Sequence, residues 1–339
     1  MIATQMLAEA ADAAEAIRRL RTRERTRIAE IAKLFATHRG PVTVAARGSS
    51  DHAVTAFKYA FEIATGRPVA SLGPSIASVY RSPLTLPSGV HLTVSQSGAS
   101  PDIIALQEAA AAGGAATIAI VNDAASPLAR SAGIVLPIHA GLEKSVAATK
   151  TFVASAAGLY SLVAAITEDR ALEAGLDALP DALERSFKVE IRELVDALAG
   201  TRSLFVTGRG PAYGIALEAA LKAKETAGIH AEAFSTAELM HGPLQLVEPG
   251  FPVVALVVDD AARQGNAEAL QRLAALGGMV LPLSTTPMPG GGGAPSTGHA
   301  ITDTLVLALL WYRTIEAVAR GRGLDPDRPA NLRKVTETT

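Results

Sequence analysis

Four short apolar runs, at residues 42–46, 90–94, 116–121 and 134–138, alternate with helical patterns near 51–65, 76–82, 102–112 and 127–132. Uninterrupted apolar runs of that length suit strands buried on both faces, as in a parallel sheet covered by helices. A long helical region, 146–199, follows and is expected to break near Pro180. The alternation then restarts, with strands at 204–207, 253–258 and 279–283 and helices at 212–227, 261–276 and 304–320. Val44-Ala45-Ala46-Arg47-Gly48-Ser49-Ser50 opens the first half, and Phe205-Val206-Thr207-Gly208-Arg209-Gly210-Pro211 opens the second. Each is a strand, a glycine turn and an alanine-rich helix. The pattern predicts an α/β chain of two tandem αβα sandwich units, each with a mainly parallel sheet. The expected segments are a helical lead 1–40, a first domain 41–168, a helical linker 169–200, a second domain 201–324 and a tail 325–339.

Composition narrows the possibilities. Aromatic residues are only 4% of the chain against 49% hydrophobic, so alanine, leucine and valine must fill the core. The net charge of −2 and the lack of a basic run argue against a nucleic-acid partner. There is no cysteine, and no histidine spacing of a metal site, so no metal is expected. Residues 1–21 read as an amphipathic helix, not a signal peptide. The apolar run 152–166 is too short to span a bilayer, so a cytoplasmic protein without a membrane partner is expected.

Ligands of open α/β sheets bind outside the carboxyl ends of the strands. There, after strand 90–94, stands Ser95-Gln96-Ser97-Gly98-Ala99-Ser100-Pro101-Asp102. Pro101 suits a first helical position. The free N–H groups of the following turn, the helix dipole and three hydroxyls make a cradle for phosphate without a lysine. An ordinary strand-to-helix turn with serine caps is the plainer alternative. Gly208, Gly210 and Gly214 miss the dinucleotide spacing by one residue, which leaves a nicotinamide cofactor poorly supported.

Glu218, Lys222 and Glu225 fall at i, i+4 and i+7, on one face of the helix after the second glycine turn. A solvated charged stripe is the default for such spacing. Here the apolar neighbours leave little other surface, and a carboxylate held beside a lysine can move protons. His241 precedes Gly242-Pro243 in a tight loop, where catalytic groups are commoner than in cores. His230 reads as structural. Lys334, near the chain end, matters only if the tail folds back over a site.

Taken in order, R-G-S-S (47–50), S-Q-S-G-A-S (95–100), G-L-E-K-S-V-A-A-T-K (141–150), A-L-K-A-K-E (220–225), H-A-E-A-F (230–234), E-L-M-H-G-P (238–243) and P-A-N-L-R-K-V-T (329–336) resemble the sugar isomerase (SIS) superfamily. The nearest resemblance is to its tandem members, the isomerase part of glucosamine-6-phosphate synthase and the stand-alone glucosamine-6-phosphate deaminases. The resemblance implies roles. Ser95, Gln96, Ser97 and Ser100 would bind the substrate phosphate, and Ser50 and Val146 would line the sugar. Glu225 would move the proton between carbons 1 and 2, with Glu218 and Lys222 as its charged partners. His241 would open the ring from the neighbouring subunit of a homodimer, and Lys334 would contact the open-chain sugar. No metal or organic cofactor is implied.

Two departures qualify the match. No glutaminase domain with its cysteine nucleophile accompanies these residues, and Ala148 stands where the synthase has a serine. The expectation is therefore a deaminase converting glucosamine-6-phosphate and water to fructose-6-phosphate and ammonia. A synthase-like isomerase or aminotransferase using another amine donor, and a phosphosugar sensor without turnover, are the alternatives. A sensor of the DNA-binding kind would need a basic helix-turn-helix, which 1–40 is too short and insufficiently basic to supply.

Overall fold

Polar interruptions shape the helical lead. In the computed structural model, which describes residues 4–334, two helices stand where one was expected over 1–21, α1 (Gln5–Ala11) and α2 (Ala13–Arg23), and α3 (Arg25–Thr37) follows them. Asp12 ends α1, and its carboxylate is held 2.8 Å from the Lys150 ammonium instead of facing water along a continuous helix.

The first apolar runs do form an all-parallel sheet. Its elements are β1 (Val42–Ala45), α4 (Ser49–Thr65), β2 (Val69–Ser71), α5 (Ser75–Ser78), β3 (Val90–Ser95), α6 (Pro101–Ala112), β4 (Ala116–Val121), α7 (Pro127–Ser131) and β5 (Ile134–Pro137). Strand order is β2-β1-β3-β4-β5. Side chains such as Ile103, Leu106, Val121 and Leu128 pack as one cluster over its face, with alanines 45 and 119 allowing close helix–sheet contact. Helices α8 (Lys150–Thr167), α9 (Arg170–Ser186) and α10 (Arg192–Leu198) follow.

The break expected at Pro180 does not occur, because Pro180 lies inside α9. Leu172, Leu176, Leu179 and Leu183 form one buried stripe along that helix. Burying four leucines outweighs a proline's helix penalty of about 3 kcal/mol. The length argument for the apolar run also needs correction. Helix formation extends it at both ends, so α8, with 18 residues, is long and apolar enough to cross a membrane, but 83% of it is buried within the protein.

The second half is built from β6 (Ser203–Gly208), α11 (Pro211–Ala227), β7 (His230–Ser235), α12 (Thr236–Leu239), β8 (Pro252–Val257), α13 (Arg263–Ala275), β9 (Met279–Ser284) and α14 (Ala300–Gly321). Its parallel sheet runs β7-β6-β8-β9. Phe205 anchors the core on one face, with the rings of Phe234 and Phe251 at 5.1 and 4.8 Å.

Duplication is visible in the backbone itself. Gly48 (φ 54°, ψ −132°) and Gly210 (φ 60°, ψ −134°) precede α4 and α11 in the same conformation, one that side chains resist. Each helix has 17 residues and ends at a left-handed glycine, Gly66 or Gly228. The two units thus repeat one strand–turn–helix device, and both turns stand at strand carboxyl ends.

The chain's contacts form two compact units that do not follow sequence order. One holds 15–143 and 151–173. The other holds the described residues 4–14, the turn 144–150 and 174–334.

On the central strand β3, His91 is fully buried, with Nδ1 2.8 Å from the Thr43 hydroxyl on β1. Burial pushes its pKa down to about 4. The folded state therefore binds this proton less readily than the unfolded state, whose histidine titrates near 6.5. His91 leaves stability intact above about pH 6.5 and removes about 3 kcal/mol as the pH falls to about 4. Urea unfolding across that window should show a shallower acid loss in His91→Leu than in the parent. Parallel pH profiles would refute this.

Candidate functional site

Within the five-stranded unit, the loop between β3 and α6 carries Ser95, Gln96, Ser97 and Ser100, all half-buried. The Gly98 N–H donates to the Ser95 hydroxyl at 3.1 Å. Gly98 is left-handed (φ 59°), and a Cβ there would come within 2.2 Å of the Ser126 hydroxyl oxygen. Ser126 in turn caps α7, and the Leu128 N–H donates to the Gly98 carbonyl at 3.0 Å. The loop is thereby fixed against a second helix terminus. Ser100 takes the N-cap position of α6 without its hydroxyl capping the helix. Ser50 lies in the first turn of α4, after Gly48.

Sequence reasoning left out the loop's cation. Arg47, at the carboxyl end of β1, donates two hydrogen bonds to one oxygen of Asp102, at 2.6 and 3.1 Å. Asp102 is buried in the first turn of α6, while the Arg47 side chain is half-exposed. An isolated buried carboxylate there would repel an incoming anion, and the guanidinium offsets its charge. The signal was present in R-G-S-S, but the partner is 55 residues away.

In the four-stranded unit the charged stripe of α11 is not solvated. Lys222 is 0% and Glu218 1% exposed, while Glu225 retains 21%. The ammonium lies 3.1 Å from Glu218 and 2.5 Å from Glu225. Burial alone would pull the Lys222 pKa down; the two carboxylates outweigh it and hold the pKa above the ordinary value. Lys222 is thus a cation throughout the neutral range. The Tyr312 hydroxyl on α14 donates to Glu218 at 3.0 Å, and the Trp311 indole donates to the Ala219 carbonyl at 2.9 Å. Tyr312 and Trp311 were not foreseen. A buried tyrosine needs a partner for its hydroxyl, which was the only available hint. The result is a line of groups, Tyr312–Glu218–Lys222–Glu225, running from the interior to one partly exposed carboxylate able to accept or give a proton.

The same unit holds the turn 144–150, in which Val146 and Ala148 are half-exposed between buried Ser145, Ala147 and Thr149. His241 is exposed, beside an open concavity of about 560 Å³ lined also by Met240, Leu244, Val247 and Leu276. Lys334 is half-buried at the end of the described tail. Of the expected site residues, those on α11 meet directly and those after β3 share one loop. His230 opens the edge strand β7 and is exposed.

Comparison with known proteins shows the family to which the fold belongs. A model described as the SIS domain matches residues 37–165 and 197–289. The glutamine–fructose-6-phosphate aminotransferase (isomerizing) of Zymomonas mobilis is 32% identical over 311 residues, covering 86% of this chain and 51% of that protein. Its counterpart in Legionella pneumophila strain Philadelphia 1 is 37% identical over 330 residues, covering 88% and 52%. The chain spans about half the length of these curated relatives. Among solved structures, a Silicibacter pomeroyi protein provisionally named a phosphosugar isomerase superposes with TM-score 0.89 at 43% identity, over 96% of this chain and all of that one. The C-terminal domain of the Francisella tularensis glucosamine-fructose-6-phosphate aminotransferase gives TM-score 0.78 at 26% identity, over 97% and 99%. The two matched segments contain the two parallel sheets and span more than half of the sequence, and the chain therefore belongs to the SIS-domain family.

Proposed function

We propose that this chain is a phosphosugar-metabolising enzyme that moves a proton between adjacent sugar carbons, and that it releases ammonia from an amino-sugar phosphate. The observation that carries the reading is the buried Glu218–Lys222–Glu225 line with one carboxylate open. Ser95, Gln96, Ser97 and Ser100 hold the phosphate, and Ser50 and Val146 line the sugar. His241 opens the ring to the free aldehyde, which Lys334 contacts. Glu225 takes the proton from carbon 2 and returns it to carbon 1, turning the carbon 2 amine into an imine. Water adds to the imine and ammonia leaves, so glucosamine-6-phosphate and water give fructose-6-phosphate and ammonia.

The 43% identical neighbour carries the name of a phosphosugar isomerase, which supports the substrate class. The aminotransferase relatives favour a second reading, the same chemistry run toward amination with an amine donor. Ammonia release should be measured with a panel of amino-sugar phosphates, alongside amination of fructose-6-phosphate by ammonia. Release from glucosamine-6-phosphate is expected. Amination without release would favour the second reading. No turnover and no exchange of a carbon-bound proton would overturn both in favour of a sensor.

His241 is exposed on a surface that also presents Leu246 and Leu276. This supports a homodimer in which His241 completes the partner's site. Mixing His241→Ala with Glu225→Gln chains, under conditions that exchange subunits, should restore part of the activity that each lacks. Persistent inactivity of the exchanged mixture, or full activity in a monomer, would count against sharing.

A further inference from the structure

Three segments distant in sequence are joined through α1. The Glu9 carboxylate, 9% exposed, accepts the Lys144 N–H at 2.5 Å with one oxygen and the Ser145 N–H at 3.1 Å with the other. The next N–H, of Val146, donates to the Asp327 carbonyl in the tail at 3.2 Å. The Asp327 carboxylate returns to α1, accepting from the Gln5 and Met6 N–H groups at 2.8 and 2.7 Å. Asp12, just past the end of α1, pairs at 2.8 Å with Lys150, which is almost wholly buried. Every consecutive N–H from 144 to 146 is thus directed to an acceptor on α1 or the tail.

This arrangement does more than cover surface. A backbone whose N–H groups are all committed has little freedom to rotate, so the half-exposed Val146 side chain is held in one place. The tail that carries Lys334 is tied to the third of these N–H groups, that of Val146, through the Asp327 carbonyl. We propose that Glu9 is a positioning residue. Its carboxylate couples the turn bearing Val146 to the tail bearing Lys334, so that the sugar meets both in fixed relation. The kinetic part rests on the proposed function; the coupling itself does not.

Glu9→Gln is nearly isosteric but sets an amide NH₂ against one of the two N–H donors, whereas Glu9→Asp keeps both acceptor oxygens. Asp327→Ala attacks the link from the other end. Hydrogen exchange in segments 144–150 and 325–334 should be followed for each variant, with α11 as the internal reference. Glu9→Gln and Asp327→Ala should each speed exchange in both segments and leave α11 unchanged, and Glu9→Asp should fall between them and the parent. In turnover of an amino-sugar phosphate, Glu9→Gln should raise KM by about tenfold, through loss of the fixed relation between Val146 and Lys334, with a smaller change in kcat. Faster exchange confined to the segment nearest each substitution would overturn the coupling. Unchanged KM in an active parent would overturn the positioning role. A parent without turnover would refute the proposed function, and the exchange data would still decide the coupling.

Discussion

Replacing Glu225 by glutamine is expected to slow turnover by about 100-fold or more, the usual scale of a lost general base. Binding of the sugar phosphate should change little, because the amide keeps the shape of the carboxylate and the proposed phosphate loop after β3 is untouched. The reason lies in the local electrostatics. Glu225 is the only member of the Glu218–Lys222–Glu225 line with appreciable exposure, at 21%, so of the three it alone is open to the proposed substrate. Lys222 remains protonated beside it and stabilises the carboxylate before and after each proton transfer. In the parent, solvent deuterium should enter carbon 1 of the fructose-6-phosphate product, and in Glu225→Gln that incorporation should fall with turnover. Normal turnover in the variant would leave an enzyme whose base is some other residue.

Lys222→Met is expected to destabilise the fold by about 3–5 kcal/mol at neutral pH, the range for leaving a buried charge without its partner. Methionine fills much of the lysine's volume, so packing contributes little to the difference. The cost comes from Glu218, 1% exposed, whose carboxylate would keep only the Tyr312 hydroxyl of the contacts described above. Uncompensated burial raises a carboxylate's pKa in the folded state. The folded variant should then bind protons more readily than its unfolded form, and part of the loss should return as the pH falls from 7 toward 5. Adding Glu218→Gln should also recover part of it, because the second change removes the stranded charge. Urea unfolding of the parent, both single variants and the double variant gives the coupling directly. Strict additivity would show that the pair is solvated in solution and that the buried line is not the stabilising unit inferred here.

Much of this molecule is legible from short-range patterns, for a physical reason. Helix geometry is local, so the i, i+4, i+7 spacing places Glu218, Lys222 and Glu225 on one face of α11 whatever surrounds them. Strands buried on both faces leave continuous apolar runs, and all four such runs in the first half became strands. The glycine turns before α4 and α11 are also local, since only glycine readily adopts their backbone angles. The edge strands β2 and β7 escaped notice because they carry polar or exposed residues, whereas the edge strands β5 and β9 keep apolar runs.

What only the tertiary structure decided was partner choice. The stripe on α11 could have been solvated, and it is buried because α14 lays Trp311 and Tyr312 against that helix. Pro180 could have ended α9, and a buried leucine stripe carries the helix through it. Arg47 finds Asp102, and Glu9 finds the N–H groups of 144 and 145, across separations of 55 and about 135 residues. A sequence pattern extends over a turn or two of helix, whereas the stability of a charge depends on what covers it and what faces it. The candidate site residues were therefore readable one by one, while their burial and their pairing, which set what each can do, arise from packing between distant segments.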